Sequence, residues 1–233
     1  MVWSRSHSQG AVAVVGAGAA SQCFPFYLYD EDGTSRRENI TDWALEQFRE
    51  NYQDKKIGKW DIFHYVYGIL HHSGYRQKFA DNLNRELARI PFASDFKAFT
   101  QAGKTLASLH LEFEQLKPWE LEFQETDGIP LSYRVDDKMR LNKEKAHLRV
   151  NESLTLAGIP PEAFEYRLGN RSALDWVVDQ YQASTDKRSG ITSDPNRADD
   201  PEYIVRLVGQ VIRVSIETVA IVNSLPAYST EKT

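Results

Sequence analysis

The sequence predicts an α+β protein: a helical block, then a small, mostly antiparallel sheet, then a second helical block with a long C-terminal helix. Three observations lead to this fold class. Apolar residues recur at helical spacing from residue 41 to residue 113. Between residues 131 and 156 the spacing of apolar residues shortens toward every second residue, which is typical of strands. Helical spacing returns from residue 172 to residue 225.

A change of pattern near Pro118 and the Asp127-Gly128 turn divides the chain. The pattern before this point is mainly helical, whereas the residues after it begin with short strands. We therefore expect a short N-terminal segment over residues 1–21, a helical part over 22–126, and a part with the sheet and the C-terminal helices over 127–233.

The N-terminal region carries two β-prone runs, Ala11–Val15 and Phe24–Tyr29, which we interpret as strands. Arg5 followed by the Ala/Val/Gly run Gly10–Ala20 has the outline of a secretory signal. That run contains no Leu, Ile or Phe, so its apolar character is weak, and we favour strands and turns over a signal.

Four helices are predicted in the helical part. The first is capped by Thr41, and the second covers about Trp60–His72, where apolar residues occupy much of the circumference. The third follows the four-residue spacing of Tyr75–Leu87 and stops before Pro91. The fourth is capped by Ser94 and continues to Phe113.

The C-terminal part begins with short strands and returns to helices. The strands are predicted near Tyr133–Val135, Met139–Leu141, His147–Val150 and Leu154–Leu156. Ser172 and Asp175 form a capping-box pattern for the next helix. After a loop over residues 184–199, Asp200-Pro201 predicts the start of a last helix that runs toward Leu225.

Composition limits the classes of protein to which the chain can belong. With 41% hydrophobic and 26% charged residues it is typical of a globular protein. A single cysteine, Cys23, excludes a disulfide framework and a thiolate metal cluster within one chain. The formal net charge of −5 argues against a uniformly basic nucleic-acid binder. The charges are unevenly distributed, however, because residues 112–127 are acidic and residues 134–149 are rich in Lys and Arg.

Several motifs of catalysis or cofactor binding occur only in incomplete form. Gly16, Gly18 and Ser21 resemble a dinucleotide fingerprint, but the third glycine and a βαβ unit are missing. Gly103-Lys104-Thr105 lacks the upstream glycine of a phosphate loop and lies inside a predicted helix. Asp136-Asp137-Lys138 has the acidic-x-Lys form of some nucleases, without the upstream Pro-Asp. No Gly-x-Ser-x-Gly nucleophile elbow is present.

The histidines of the second helix do not have the spacing of a metal site. His64 and His71 would lie about 10 Å apart along the helix axis, and the adjacent His71 and His72 would point about 100° apart. We therefore expect no metal site and no catalytic residue in this chain.

Three long segments, in order, resemble the C-terminal specificity region of Type ISP restriction–modification enzymes. These single-chain enzymes combine a nuclease, a translocase, a DNA adenine methyltransferase and target recognition. The resemblance covers about residues 22–227. The first segment is Gln22–Tyr29 (QCFPFYLY), and the second is Asp61–His71 (DIFHYVYGILH), which continues through Tyr75-Arg76 to Arg89–Phe92 (RIPF). The third is Ala173–Tyr181 (ALDWVVDQY), which continues to Thr185–Ile191 (TDKRSGI) and Asp194–Asn196 (DPN).

The resemblance implies a domain that recognises double-stranded DNA in the cytoplasm, beside the methyltransferase and translocase parts of the same system and away from membranes. The Asn/Asp-Pro-Pro-Tyr/Phe motif of adenine methyltransferases is absent, since Ile159 precedes the one Pro160-Pro161 pair. The resemblance therefore implies that S-adenosylmethionine, ATP and Mg²⁺ belong to other domains, and that this chain binds no cofactor.

We predict two groups of DNA-contacting residues from their chemistry. Cations neutralise phosphates, Arg bridges guanine O6 and N7, and Asn bridges adenine N6 and N7. The two groups are the 184–197 loop and the basic hairpin region, with Lys187, Arg188, Ser189, Asn196, Arg197, Arg140, Lys143 and Lys145. The alternative for the loop is a solvated connection in which Asp186 pairs with Lys187.

Two other functions remain open at this point. The chain can act as a protein-interaction or scaffold module that exposes an apolar docking patch. It can also be a nucleotide-binding enzyme built on Gly16 and Gly18, which a thermal shift with NAD or FAD would reveal.

Overall fold

The computed structural model describes residues 11–15, 21–83 and 85–227. The chain forms two compact units, which we call the helical unit (residues 1–111 and 220–233) and the sheet unit (residues 112–219). The fold is α+β, as predicted, with small antiparallel sheets and a long C-terminal helix. The three-part division predicted from the sequence stays a prediction.

The helical unit contains two small strand pairs followed by helices. The strands are β1 (Ala11–Val15), β2 (Ser21–Pro25), β3 (Tyr27–Leu28) and β4 (Arg37–Glu38), with β1 antiparallel to β2 and β3 antiparallel to β4. The helices are α1 (Asp42–Tyr52), α2 (Lys59–His71), α3 (Ser73–Lys78), α4 (Ala80–Leu83) and α5 (Phe96–Leu111). Gly16 and Gly18 of the fingerprint lie outside the described residues.

Helix α1 begins where the sequence predicts it, because the Thr41 hydroxyl accepts a hydrogen bond from the Ala44 N–H at 3.1 Å. The predicted strand Phe24–Tyr29 is interrupted at Phe26, which is fully buried and stacks on Trp60 with ring centroids 3.7 Å apart. The cap of α5 was predicted one residue early. Asp95, rather than Ser94, accepts a hydrogen bond from the Ala98 N–H.

The predicted helix over Tyr75–Leu87 is wrong in its length. The buried Tyr75 donates its hydroxyl hydrogen to the Arg89 carbonyl at 2.8 Å. In a continuous helix these two residues would be about 21 Å apart along the axis. The chain therefore leaves helical geometry after α4 and folds back over Tyr75, so tertiary packing outweighs the four-residue spacing.

Two glycines allow helices α2 and α5 to pack backbone to backbone. A Cβ atom on Gly103 would lie 1.8 Å from the His64 carbonyl oxygen, and one on Gly68 would lie 2.3 Å from the Phe99 carbonyl oxygen. Side chains from both helices fill the surrounding core, including Tyr65 and Phe99. Gly103 is thus part of a helix contact, and the Gly103-Lys104-Thr105 sequence lies inside a helix, as predicted.

A pair of histidines, the buried His71 and the partly buried His110, also lies between these two helices. The ring centroids of His71 and His110 are 5.4 Å apart. Nδ1 of His71 donates to the Tyr67 carbonyl at 2.8 Å, and Nδ1 of His110 lies 2.7 Å from the Tyr67 hydroxyl. Burial lowers the pKa of His71 to about 4 and that of His110 to about 3.

The sheet unit contains a four-stranded antiparallel sheet, three small helical elements and most of the last helix. The strands of the sheet, in the order in which they pair, are β5 (Glu122–Glu125), β8 (Leu154–Ala157), β7 (His147–Arg149) and β6 (Arg140–Leu141). The remaining elements are β9 (Arg167–Leu168) with β10 (Arg171–Ser172), α6 (Ala173–Gln180), β11 (Ser184–Thr185) with β12 (Thr192–Ser193), α7 (Tyr203–Ser224), and 3-10 turns at Phe113–Gln115 and Pro161–Phe164.

Several strand assignments differ from the sequence prediction, which did not include the short pairs β9–β10 and β11–β12. Strand β5 was missed because all four of its residues are exposed, so it has no apolar alternation. The predicted strand Tyr133–Val135 does not form. Val135 is fully buried, but its backbone hydrogen bonds go to the side chain of Asn196 rather than to a neighbouring strand.

The core of the sheet unit lies between the sheet and helices α6 and α7. Leu148, Leu154 and Leu156 of the sheet and Leu174 of α6 are fully buried, and they belong to one cluster with Val208 of α7. The predicted capping box holds α6, because Ser172 accepts from the Asp175 N–H while Asp175 accepts from the Ser172 N–H.

Helix α7 begins at Tyr203, two residues after the predicted start at Pro201. Its Gln210 amide donates to the carbonyls of Glu114 and Leu116, and the Trp119 N–H donates to the Gly209 carbonyl. These bonds hold the segment before β5 along the helix. In the described part of the chain, no helix combines the length and the apolar character needed to cross a bilayer.

The helix contact gives a first prediction. Replacing an exposed helical glycine by alanine ordinarily stabilises a helix by about 1 kcal/mol. We expect Gly103→Ala to lower the free energy of unfolding by at least about 2 kcal/mol, because the new methyl group meets backbone atoms that cannot rotate away. Urea denaturation measures the change. The exposed neighbour Lys104→Ala is the control and should shift stability by less than about 0.5 kcal/mol.

His71 and His110 give a pH prediction. Their folded pKa values lie below the unfolded value of 6.5, so the unfolded chain binds protons first as the pH falls. Their contribution to stability is therefore complete above pH 6.5 and is lost as the pH falls toward 4. We expect the urea midpoint to drop between about pH 6.5 and 4.5, a window in which histidine titrates. His110→Gln should flatten the slope. A wild-type midpoint that is constant over this window would contradict the prediction.

Candidate nucleic-acid interface

Two arginines face each other across the edge of the main sheet. Arg140 of β6 is the direct antiparallel partner of Arg149 of β7, and both side chains are exposed. Like charges directly opposite each other on paired strands are destabilising. A pair of guanidinium groups in this position is well suited to hold an anion between them.

These arginines line a cleft of about 430 Å³, which we call the hairpin cleft. The same cleft is lined by Arg134 and Lys138, and by the carboxylates of Asp136, Asp137 and Glu152. Arg134 neutralises one of these carboxylates, since its Nε lies 2.6 Å from Asp136. Within the described residues, the side chain of Arg140 makes no ion pair and no hydrogen bond.

Two neighbouring cavities share lining residues with the hairpin cleft. One, of about 350 Å³, shares Lys138 and Arg140 with it and adds Arg171. Lys138 and Arg171 both form ion pairs with Asp179, and the hydrogen bond from Lys138 is the main cause that lowers the pKa of this carboxyl. With Arg140 and Asp175 counted, three cations and two carboxylates line this cavity, which leaves an excess of positive charge.

The other neighbouring cavity, of about 460 Å³, shares Arg134 with the hairpin cleft and is also lined by Asp194, Asn196 and Arg197. Arg134 bridges the two regions, because its second ion pair is with Asp194 at 2.6 Å. The Asn196 backbone N–H and Arg134 together lower the pKa of Asp194 to about 2. The carboxylate is therefore charged and bound at neutral pH.

Asn196 connects the 184–197 loop to the sheet. Its side-chain oxygen accepts from the Val135 N–H at 2.8 Å, and its amide nitrogen donates to the Val135 carbonyl at 2.9 Å. The amide also donates to Asp194 at 2.7 Å. Both ends of the amide are thus occupied, and a contact of this side chain with adenine would require these bonds to break.

The loop itself folds into a small hairpin. Strands β11 and β12 pair antiparallel, and the hydroxyls of Thr185 and Thr192 lie 2.9 Å apart. Asp186 does not form the alternative pair with Lys187. Its Oδ1 instead accepts from the backbone N–H groups of Arg188 and Ser189 and from the Ser189 hydroxyl. These bonds lower the pKa of Asp186.

The remaining predicted residues differ in their surroundings. Lys187 and Arg188 are exposed, and among the described residues their side chains have no ion-pair partner. Arg197 lies over the ring of Tyr203, 3.3 Å from the centroid. Lys145 pairs with Asp175 at 3.2 Å and lies 4.7 Å from the Phe164 ring centroid.

The structure brings some of the predicted residues together and leaves others apart. Arg140, Asn196 and Arg197 line the connected cavities, and Lys187, Arg188 and Ser189 form the hairpin tip. Lys143 is exposed in the turn between β6 and β7, beside Lys145. Arg149 and Arg171 also line these cavities but were not among the predicted DNA-contacting residues. The pairing of Arg149 with Arg140 depends on the strand register, which the sequence alone does not show.

The described residues contain no group of three or more His, Cys, Asp or Glu side chains placed to hold a metal ion. The expectation that this chain binds no cofactor stays a prediction.

A family model described as the Type ISP C-terminal specificity domain matches residues 11–207. The chain belongs to this family. A comparison with curated proteins gives no match. The match confirms the resemblance noted in the sequence over residues 22–207.

Solved structures support the same assignment. The specificity domain is 35% identical to a nuclease-deletion mutant of the Type ISP restriction–modification enzyme LlaGI in complex with a DNA substrate mimic, with a TM-score of 0.74. It is 32% identical to the ATP-dependent Type ISP enzyme LlaBIII bound to DNA and 38% identical to DrdV in a complex with DNA, both with a TM-score of 0.78. The matches cover 91%, 91% and 90% of this chain, but 18%, 14% and 22% of those chains.

The connection through Asn196 gives a prediction for the specificity domain. Asn196→Ala leaves the backbone polar groups of the buried Val135 without their partner, so we expect a loss of about 1–3 kcal/mol in unfolding free energy. Trypsin should also cleave faster at Lys187 or Arg188, because the loop loses its attachment. Asn170→Ala, at an exposed turn, is the control. Equal stability and equal cleavage in the two variants would refute the role of Asn196.

Proposed function

We propose that this specificity domain binds double-stranded DNA and recognises a base sequence on behalf of a Type ISP restriction–modification enzyme. The observation that carries the proposal is the paired Arg140 and Arg149 at the hairpin cleft. Two facts about relatives support it, since LlaGI was solved with a DNA substrate mimic and LlaBIII with DNA.

In this proposal the hairpin cleft and its neighbouring cavities receive the phosphate backbone. Arg140 and Arg149 contact phosphate oxygens, and the negative charge removes the repulsion between the two guanidinium groups. Phosphate contacts fix the position and register of the protein on the duplex but do not read the sequence. Base contacts come from other groups, for which the exposed Lys187 and Arg188 are the candidates.

The overall negative charge is compatible with this role. DNA meets a local surface, and charges beyond about 8–10 Å are screened at physiological salt. Strand β5, with its exposed Glu122 and Glu125, lies at the opposite edge of the sheet from β6. We therefore propose that the acidic edge faces away from the duplex.

Catalysis belongs to other parts of the enzyme in this proposal. Methylation, cleavage and ATP-driven translocation, with S-adenosylmethionine, ATP and Mg²⁺, are assigned to the methyltransferase, nuclease and translocase parts. The specificity domain contributes position and sequence choice, and a role on DNA implies that the protein works in the cytoplasm.

Binding to a short duplex of mixed sequence tests the proposal, measured by fluorescence anisotropy over a range of salt concentrations. We expect affinity to fall steeply with salt, because bound phosphates release counterions. The double variant Arg140→Ala/Arg149→Ala should reduce the slope of log K against log salt by about 2, one unit for each lost phosphate contact.

The double variant Lys97→Ala/Lys104→Ala provides the matched control. Lys97 and Lys104 are exposed on α5 in the helical unit and do not line the hairpin cleft, so this change also removes two positive charges but leaves the cleft intact. Its salt slope should equal that of the wild type. The proposal would be wrong if a folded wild-type sample bound no duplex at low salt, or if the arginine and lysine variants had equal slopes.

A further inference from the structure

The hairpin formed by β11 and β12 exposes a large apolar side chain at its tip. Ile191 is 69% exposed, although burying an isoleucine is normally favourable by about 1.5–3 kcal/mol. Lys187 and Arg188, also exposed, lie in the same tip. An apolar group beside two cations matches a surface that is both anionic and locally apolar, which is the character of a DNA groove.

The tip is held in one shape by its own hydrogen bonds. The Asp186 N–H donates to the Ile191 carbonyl at 2.9 Å, which extends the pairing of the two strands to the base of the turn. The Gly190 N–H donates to the Asp186 carbonyl at 2.8 Å, and Gly190 adopts a φ of 69°, a conformation that glycine accepts without strain. A contact made by Ile191 therefore needs little additional ordering.

The hairpin is also fixed at its base to the rim of the hairpin cleft. Strand β12 ends at Ser193, and the next residue, Asp194, is bound by Arg134. Arg134 lines the hairpin cleft in which Arg140 and Arg149 lie. A duplex whose backbone occupies that cleft therefore has the hairpin next to one of its grooves.

The dimensions of the hairpin select the major groove. Paired strands lie about 4.8 Å apart before their side chains are added. The minor groove of B-DNA is about 6 Å wide, whereas the major groove is about 12 Å wide and admits a two-stranded ribbon. In the major groove the apolar feature of a base edge is the C5-methyl group of thymine.

We propose that the β11–β12 hairpin enters the major groove and that Ile191 is a specificity-determining residue that packs on the C5-methyl group of a thymine. This inference rests on the proposed function, because it requires the domain to bind a duplex. Lys187 and Arg188 would flank the contact as donors to phosphates or to base edges. No covalent chemistry is involved.

The test first selects the preferred sequence of the full chain from a randomised duplex library. The selected duplex is then prepared with uracil in place of each thymine, one position at a time, which removes only the C5-methyl group. We expect one position at which uracil weakens wild-type binding by about fivefold to tenfold. Ile191→Ala should bind the thymine duplex about as weakly as the wild type binds the uracil duplex, and should not distinguish thymine from uracil at that position.

Control measurements separate this inference from the proposed function. Leu87→Ala removes another exposed apolar side chain, on the helical unit, and should keep the wild-type preference for thymine. Absence of any duplex binding would overturn the proposed function itself. Salt-dependent binding would support that function, but the role of Ile191 would be wrong if the selected sequence contained no thymine, if no thymine were sensitive to uracil, or if Ile191→Ala retained the preference.

Discussion

The candidate interface depends on the two hydrogen bonds between the Asn196 side chain and the backbone of Val135. Val135 is buried in the core of the sheet unit, where its N–H and carbonyl need partners. No strand supplies them, and an amide side chain from a loop does. A loop that would otherwise be free is thereby fixed to the core, and its hairpin is held beside the hairpin cleft.

Charge is arranged in the same region so that some cations are neutralised and others are not. Arg134 is bound by two carboxylates and serves to connect the loop with the sheet. Arg140 faces Arg149 across the strand pair, and within the described residues its side chain forms no ion pair, although carboxylates line the same cleft. The first arrangement stabilises the fold, whereas the second costs stability until an anion binds. This difference separates the structural arginines from those that we assign to DNA.

Much of the fold was accessible from the sequence because local signals and tertiary packing agree. Thr41 and the Ser172–Asp175 capping box mark helix starts by side-chain chemistry that acts within four residues. The sequence failed where distant contacts decide the structure. The Tyr75 hydroxyl donates a hydrogen bond to the Arg89 carbonyl, so the chain folds back where the four-residue apolar spacing predicts a continuous helix. The backbone of Val135 finds its hydrogen-bond partner 61 positions away, at Asn196. The site behaves similarly, since the chemistry of Arg140 is visible in the sequence but its pairing with Arg149 depends on strand register.

Hydrogen–deuterium exchange of the full chain, with and without duplex DNA, tests the central claim most directly, because it reports which backbone segments the duplex covers. We predict that DNA slows exchange in residues 132–149 and 184–197, which contain most of the hairpin cleft and the β11–β12 hairpin, and leaves residues 42–83 unchanged. Protection confined to residues 42–83, with none in the sheet unit, would contradict it.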